Sequence, residues 1–178
     1  MTQSKYLVIS ALGKDRPGIV DRLTGPVMEA GCNILDTRMT VLGGEFAILL
    51  MVEGSWAEVA KLEHLLPVLE KRLELTIIAK RTEERPDRTG GMPYLINVVS
   101  LDHPGIVNQI AGFFSTRNIN IEDLYTESYR AAHTGTQMFS ANITVNIPGD
   151  IHIAQLRNEF LDFCDSLNLD AVLEPVKG

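Results

Sequence analysis

Apolar positions along this chain change period several times, and each change marks an element. Tyr6-Leu7-Val8-Ile9-Ser10-Ala11-Leu12 is β-branched and apolar, which predicts a strand. Ile19, Val20, Leu23 and Val27 then recur at helical spacing on one face. Pro17 is expected at the first helical position, where its missing N–H costs nothing. Pro26 is expected to bend this helix midway, and Gly31 to close it in a left-handed cap. Asn33 to Leu42 reads as a second strand, Gly43-Gly44 as a hairpin turn, and Glu45 to Glu53 as a third strand dense in Phe, Ile, Leu and Val. Ser55 is a good N-cap for a second helix carrying Trp56, Val59, Leu62, Leu66, Leu69 and Leu73 at helical spacing. Leu75 to Ala79 completes the series β-α-β-β-α-β.

The same series then runs again. The predicted elements are a strand Tyr94 to Leu101, a helix from Pro104, strands Ile119 to Glu127 and Gln137 to Ile147, a helix from about Ile151 to Leu167, and a strand Asp170 to Val176. The second hairpin is longer, with Tyr129 to Thr136 in place of the glycine pair. Asp15-Arg16-Pro17-Gly18-Ile19-Val20 has Asn33-Ile34 sixteen residues after its proline, and Asp102-His103-Pro104-Gly105-Ile106-Val107 has Asn120-Ile121 at the same spacing. A shift of 87 leaves nine of the twenty-two residues from Asp15 to Asp36 identical. That period exceeds a solenoid unit, whose repeats run to about 50 residues, and suffices for a small core. The reading is therefore two copies of one domain, 1–84 and 93–178, joined by a polar Gly/Pro-rich linker over 85–92. The class is α+β: two tandem ferredoxin-like units, each an antiparallel sheet with helices on one face. An uncovered sheet face or edge needs cover, which two copies in one chain can give each other.

Charge narrows the partners. With 16 Lys and Arg against 23 Asp and Glu, the net charge is −7, which excludes a direct DNA or RNA binder. RNA-recognition domains of the same topology stack bases on sheet aromatics, and here the first and third strands offer only Tyr6 and Phe46. No apolar run has the length of a membrane span. Cys32 and Cys164 sit at unrelated positions in the two copies and read as small buried apolar residues. His64, His103, His133 and His152 share no metal-ligand spacing with Cys, Asp or Glu. Ser100, Ser128 and Ser140 lack a nucleophile-elbow context. No catalytic residue, metal or cofactor is expected, and the protein is expected to be cytoplasmic.

The repeated turn is the candidate for chemistry. The first turn of a helix leaves backbone N–H groups unpaired, and beside Pro17 and Pro104 these are expected at Gly18 and Ile19 and at Gly105 and Ile106. Glycine leaves room for a carboxylate to approach them. Asp15 or Asp102 can accept from an ammonium group, and Asn33 or Asn120 offers both a donor and an acceptor. Together they would hold the zwitterionic end of a free amino acid. The same residues also suit a purely structural role: Asp as N-cap, Pro at the first helical position, and Asn satisfying a local turn.

Through Asp15-Arg16-Pro17-Gly18-Ile19-Val20 with Cys32-Asn33-Ile34, the chain resembles ACT domains, small-molecule regulatory modules of amino-acid metabolism. With Tyr6 to Gly13, Gly43-Gly44-Glu45-Phe46 and Gly54-Ser55-Trp56 added, it is similar over nearly its whole length to the glycine cleavage system transcriptional repressor family. That resemblance implies a regulator that binds glycine or another small amino acid and restrains a DNA-binding activator, such as a LysR-type protein, by protein contact. It implies ligand contacts at Asp15, Pro17, Gly18, Ile19 and Asn33, and at Asp102, Pro104, Gly105, Ile106 and Asn120, at an interface between domains. It leaves open a homo-oligomer, and also a ligand-free oligomerisation module or a regulatory subunit of an enzyme. Formyl-folate deformylases begin with a similar domain but require a further catalytic one.

Overall fold

The computed structural model describes residues 4–84 and 90–176. Its contacts divide the chain into two units, Met1–Pro86 and Asp87–Gly178. The first unit contains β1 (Lys5–Lys14), α1 (Ile19–Ala30), β2 (Asn33–Leu42), β3 (Glu45–Gly54), α2 (Trp56–Leu73) and β4 (Leu75–Thr82). The second contains β5 (Gly91–Leu101), α3 (Ile106–Ser115), β6 (Asn120–Arg130), β7 (Gln137–Pro148), α4 (Ile153–Ser166) and β8 (Asp170–Pro175). Each is the expected β-α-β-β-α-β unit, with antiparallel strand order β2-β3-β1-β4 or β6-β7-β5-β8. Gly91 and Met92 belong to β5 and not to a linker, because Gly91 pairs with Pro148 and Met92 with Ile147. Of the rest of the expected linker, Gly90 is a turn residue with φ 112° and 85–89 lie outside the described residues.

Alternation along the strands assigns the faces. Leu7, Ile9 and Ala11 of β1 are buried, as are Val52, Leu50 and Ile48, their neighbours in register on β3, and Phe46, which pairs with Gly13. The helices cover this face through Leu23 and Val27 of α1 and Val59, Leu62 and Leu69 of α2. The second core adds an aromatic cluster: Phe113, Phe114 and Phe160 lie with ring centroids 5.2 Å apart in every pairing. Phe113 occupies the repeat position of Pro26, so the second unit fills with a ring what the first fills with a proline. The alternate strand positions face away from the helices. In the first unit these include Leu12, Leu49 and Ile78, all exposed; in the second, Val99, Leu101, Tyr125 and Val172.

The helix ends follow local chemistry. Ser55 caps α2 through its hydroxyl, which accepts from the Glu58 amide at 3.3 Å, and the Glu58 carboxylate accepts from the Ser55 amide at 2.6 Å. These bonds satisfy two orphan donors reciprocally, and they hold the Glu58 carboxyl below its ordinary range, the backbone bond from Ser55 contributing most. Pro26 and Pro67 lie inside helices that continue through them. Cys32 and Cys164 are buried free thiols, as expected. Among the described residues, no helix is long and apolar enough to cross a membrane.

Ser55→Ala should cost about 1 kcal/mol, read by urea denaturation through the fluorescence of Trp56, the next residue and the chain's single tryptophan. Because the folded-state pKa of Glu58 is depressed, its stabilisation is present above the unfolded value of about 4.3 and lost as pH falls through the folded one. The stability difference between wild type and Glu58→Gln should therefore vanish in strong acid. A difference that persists there would show that the carboxylate is not the stabilising form.

Candidate functional site

The turn between β1 and α1 is set by one residue. Gly18 has φ 80° and is the N-cap of α1, and Gly105 with φ 98° occupies the same place before α3. Neither helix has a side-chain cap. The sequence expectation of proline at the first helical position is thus corrected: Pro17 and Pro104 precede the N-cap, and the helices begin at Ile19 and Ile106. The left-handed backbone at the glycine explains the shift, since a residue with that φ cannot be the second residue of a helix. The alternative role of Asp15 and Asp102 as N-caps falls with it.

Backbone bonds pin the turn to the neighbouring hairpin. The Asp15 amide donates to the Gly44 carbonyl at 3.2 Å, and the Asp102 amide to the Gln137 carbonyl at 3.0 Å. The Gly18 carbonyl receives the first helical bond from Arg22 at 3.1 Å, and Gly105 receives that of Gln109 at 2.9 Å. In the first unit the Ile19 amide is not free, because it donates to the Arg16 carbonyl at 3.3 Å. The unpaired donors there, among the described residues, are Gly18, Val20 and Asp21. In the second unit Gly105 and Ile106 are both unpaired, joined by Val107 and Asn108. A Cβ placed on Gly18 or Gly105 would meet nothing within 4 Å, so the space before these amides is open.

The carboxylates differ. Asp102 Oδ2 accepts from the Ser128 hydroxyl at 2.8 Å, a partner that sequence reasoning considered only as a nucleophile. Val41 stands at the repeat position of Ser128, so Asp15 has no such bond. The Arg16 guanidinium closes the far end of α2, donating to the Leu73 carbonyl and lying 3.8 Å from Glu74. His103, its counterpart, keeps its ring nitrogen Nδ1 3.1 Å from the Pro104 carbonyl.

The asparagines lie elsewhere. Asn33 pairs with Glu53, which pairs with Tyr6, whereas the turn follows Lys14 at the other end of the sheet. Eight strand positions at about 3.3 Å each put Asn33 roughly 26 Å from the turn of its own unit. Asn120 is placed likewise, opposite Asn146. It lines a cleft of about 440 Å³ with Asn118, Asn146 and Asp150. There Asn146 packs so tightly on Gly91 that a Cβ would sit 2.0 Å from its Oδ1, an oxygen with no hydrogen-bond partner. The expected trio of Asp, Gly and Asn is not assembled within one unit.

Comparison with known proteins assigns the family of this chain. Residues 5–80 match the ACT domain model, and residues 96–163 match that of the AHAS small subunit-like ACT domain. The glycine cleavage system transcriptional repressors of Escherichia coli and Shigella flexneri are each 32% identical over 176 residues, covering 99% of this chain and 93% of theirs. The chain belongs to the glycine cleavage system transcriptional repressor family. A crystal structure assigned to that repressor family superimposes with TM-score 0.73 at 30% identity, covering 98% of this chain and 99% of its own. A Galdieria sulphuraria protein shares the fold at TM-score 0.79 and 24% identity, covering 98% of this chain and 100% of its own. The chain is thus a tandem-ACT repressor-family protein.

Its thiols stand apart from this turn chemistry. Burial pushes the Cys164 thiol up to about 12, with Asp165 adding to the shift, and burial raises Cys32 as well. A thiolate is the reactive form, so the native protein should react with Ellman's reagent far more slowly than the urea-unfolded chain, which should titrate both thiols. Rapid reaction of the folded protein would contradict the packing at these two positions.

Proposed function

We propose that this repressor-family protein is a cytoplasmic amino-acid sensor which binds glycine or another small amino acid at its Asp-x-Pro-Gly turns. It regulates transcription of the glycine cleavage system by contact with a DNA-binding activator of the LysR type. The observation that carries the ligand reading is the pair of left-handed glycine N-caps, each opening a helix with unpaired amides and no side-chain cap. A carboxylate seated on the Gly18, Val20 and Asp21 amides, or on those of Gly105, Ile106 and Val107, gains hydrogen bonds and the positive end of the helix dipole. Asp15 or Asp102 then receives the ammonium group. Asn33 and Asn120 take no part in the cradle of their own unit.

The two turns favour different affinities. In the first, the Asp21 side chain at the third helical position competes with an incoming anion, and Asn108 replaces it in the second. In the second, Ser128 already holds one oxygen of Asp102. A metabolite sensor works with Kd from about 1 μM to 1 mM. A ligand that prefers one conformation by about 1.4 kcal/mol shifts its balance tenfold, which suffices to change how much protein can hold a partner. Net charge −7 supports action through a protein and not through DNA.

Isothermal titration of the full chain against glycine, serine and alanine tests the reading. Binding of at least one of them is expected, with Asp15→Ala and Asp102→Ala each weakening one of two sites by about tenfold or more, since a charged hydrogen bond contributes about 1.5–3 kcal/mol. No heat with any amino acid up to several millimolar would remove the sensor function.

A further inference from the structure

The open faces of the two sheets carry different charge patterns. Residues paired in register on neighbouring antiparallel strands share a face, so the open face of the first sheet can be laid out in rows. One row runs Asp36, Met51, Val8, Lys80 from β2 through β3 and β1 to β4. The next is Arg38, Leu49, Ser10, Ile78, followed by Thr40, Ala47, Leu12, Thr76. Leu42, Glu45 and Lys14 close that end, and Glu53 stands beside Tyr6 at the other. The middle of the two inner strands is therefore apolar apart from Ser10, with charge at the edges and ends. Leu12, Leu49 and Ile78 are exposed, and Val8, Ala47 and Met51 are half-buried.

This arrangement is complementary to itself. A two-fold axis along the strands, passing between β1 and β3, would set β3 of one copy on β1 of the other and β2 on β4, each row on the same row. Glu45 then meets Lys14 of the second copy, and Asp36 meets Lys80. Between these ion pairs Met51 meets Val8 and Ala47 meets Leu12, while Thr40 meets Thr76 and the stem of Arg38 lies across Ile78. Every contact occurs twice, as an isologous interface requires. Glu45, Lys14 and Lys80 have no ion-pair partner among the described residues, so each is available. Asp36 bonds Arg38 and the Thr37 amide through Oδ1 alone, which leaves Oδ2 for a lysine. The second sheet fails the same operation. There Asp123 and Glu174 end one row, and Glu127 and Asp170 end another. The axis would place Asp123 on Glu174 and Glu127 on Asp170, like charge on like, across an inner strand β7 that presents Ser140, Asn142 and Thr144.

The geometry points to the open face of the first sheet as a dimer interface whose occupant is the same face of a second copy of this chain. Stacked sheets lie about 10 Å apart with strands within about 30° of each other, a separation that Lys and Glu side chains span together. Four strands about 4.8 Å apart and about 30 Å long offer roughly 600 Å² per copy, or about 1,200 Å² in a pair, at the lower end of specific interfaces. A dimer of this size is a modest one, with Kd in the range of about 1–100 μM. The inference goes beyond the ligand reading and does not depend on it.

The test is sedimentation equilibrium of the full chain with Glu45→Lys and Lys14→Glu, each alone and as an equimolar mixture. Wild type should be a monomer–dimer system. Each variant alone meets its copy with like charges at both ion pairs and should dimerise at least about tenfold more weakly. The mixture should recover to within about threefold of wild type, because the heterodimer restores opposite charges at both places. Recovery on mixing also shows that both variants are folded. Should either variant fail to fold, Asp36→Lys mixed with Lys80→Glu makes the same comparison at the other ion pair. Asp123→Lys, with the same change in net charge as Glu45→Lys, should stay within about twofold of wild type. A chain that remains monomeric up to about 0.5 mM, as it would if another protein or the second unit took this face, would overturn the inference. So would dimerisation that ignores the charge reversals, or a loss in the single variants that mixing leaves unrepaired.

Discussion

A left-handed glycine immediately after a proline is the constraint on which each turn depends. Gly18 and Gly105 bring the chain out of a strand and into a helix without spending a side chain on the cap. Ordinarily Ser, Thr, Asn or Asp at that position would consume an N–H of the first turn. Here the glycine carbonyl accepts the first helical bond, while several donors before it stay unpaired. The hairpin anchors at Gly44 and Gln137 hold the turn in place, so the unpaired amides belong to a positioned surface. That combination of fixed backbone and unspent donors makes the turn a candidate anion site.

Duplication has kept this turn and released its surroundings. Arg16 ties the first turn to the end of α2, and His103 makes no equivalent bridge. Ser128 engages Asp102, and Val41 leaves Asp15 alone. The cores diverge too: in one, aliphatic side chains of α1 and α2 pack over a sheet whose single buried ring is Phe46, and the other is built on Phe113, Phe114 and Phe160. Such drift is tolerated because each unit buries its own core, so an exchange of volume in one is compensated locally. Most of the net charge has gathered in the second unit. The outcome is a pair of similar folds with different surfaces.

Much of this was legible in the amino-acid sequence. Strand alternation, the Ser55 cap and the two helical faces are local patterns with local causes, and the repeat fixed their order. Errors arose where a boundary depends on backbone conformation. Proline is compatible with both the first helical position and the residue before an N-cap, and only the φ of Gly18 decides between them. The asparagines failed for a different reason. Equal spacing from the proline in both copies suggested one site, but a helix of 12 residues carries the chain back along the sheet before Asn33 begins β2. Sequence distance was short while spatial distance spanned the strands. Ser128 was invisible as a partner of Asp102, because that contact joins the ends of two strands separated in sequence by a helix and most of β6.

The most direct test of the turn is a two-dimensional amide NMR titration of the labelled chain with glycine and serine. The account predicts saturable shifts centred on Gly18, Val20 and Asp21, on Gly105 through Asn108, or on both sets. Shifts centred instead on Asn118, Asn146 and Asp150 would move the site to the other end of the second sheet, and an unchanged spectrum would leave these turns as architecture alone.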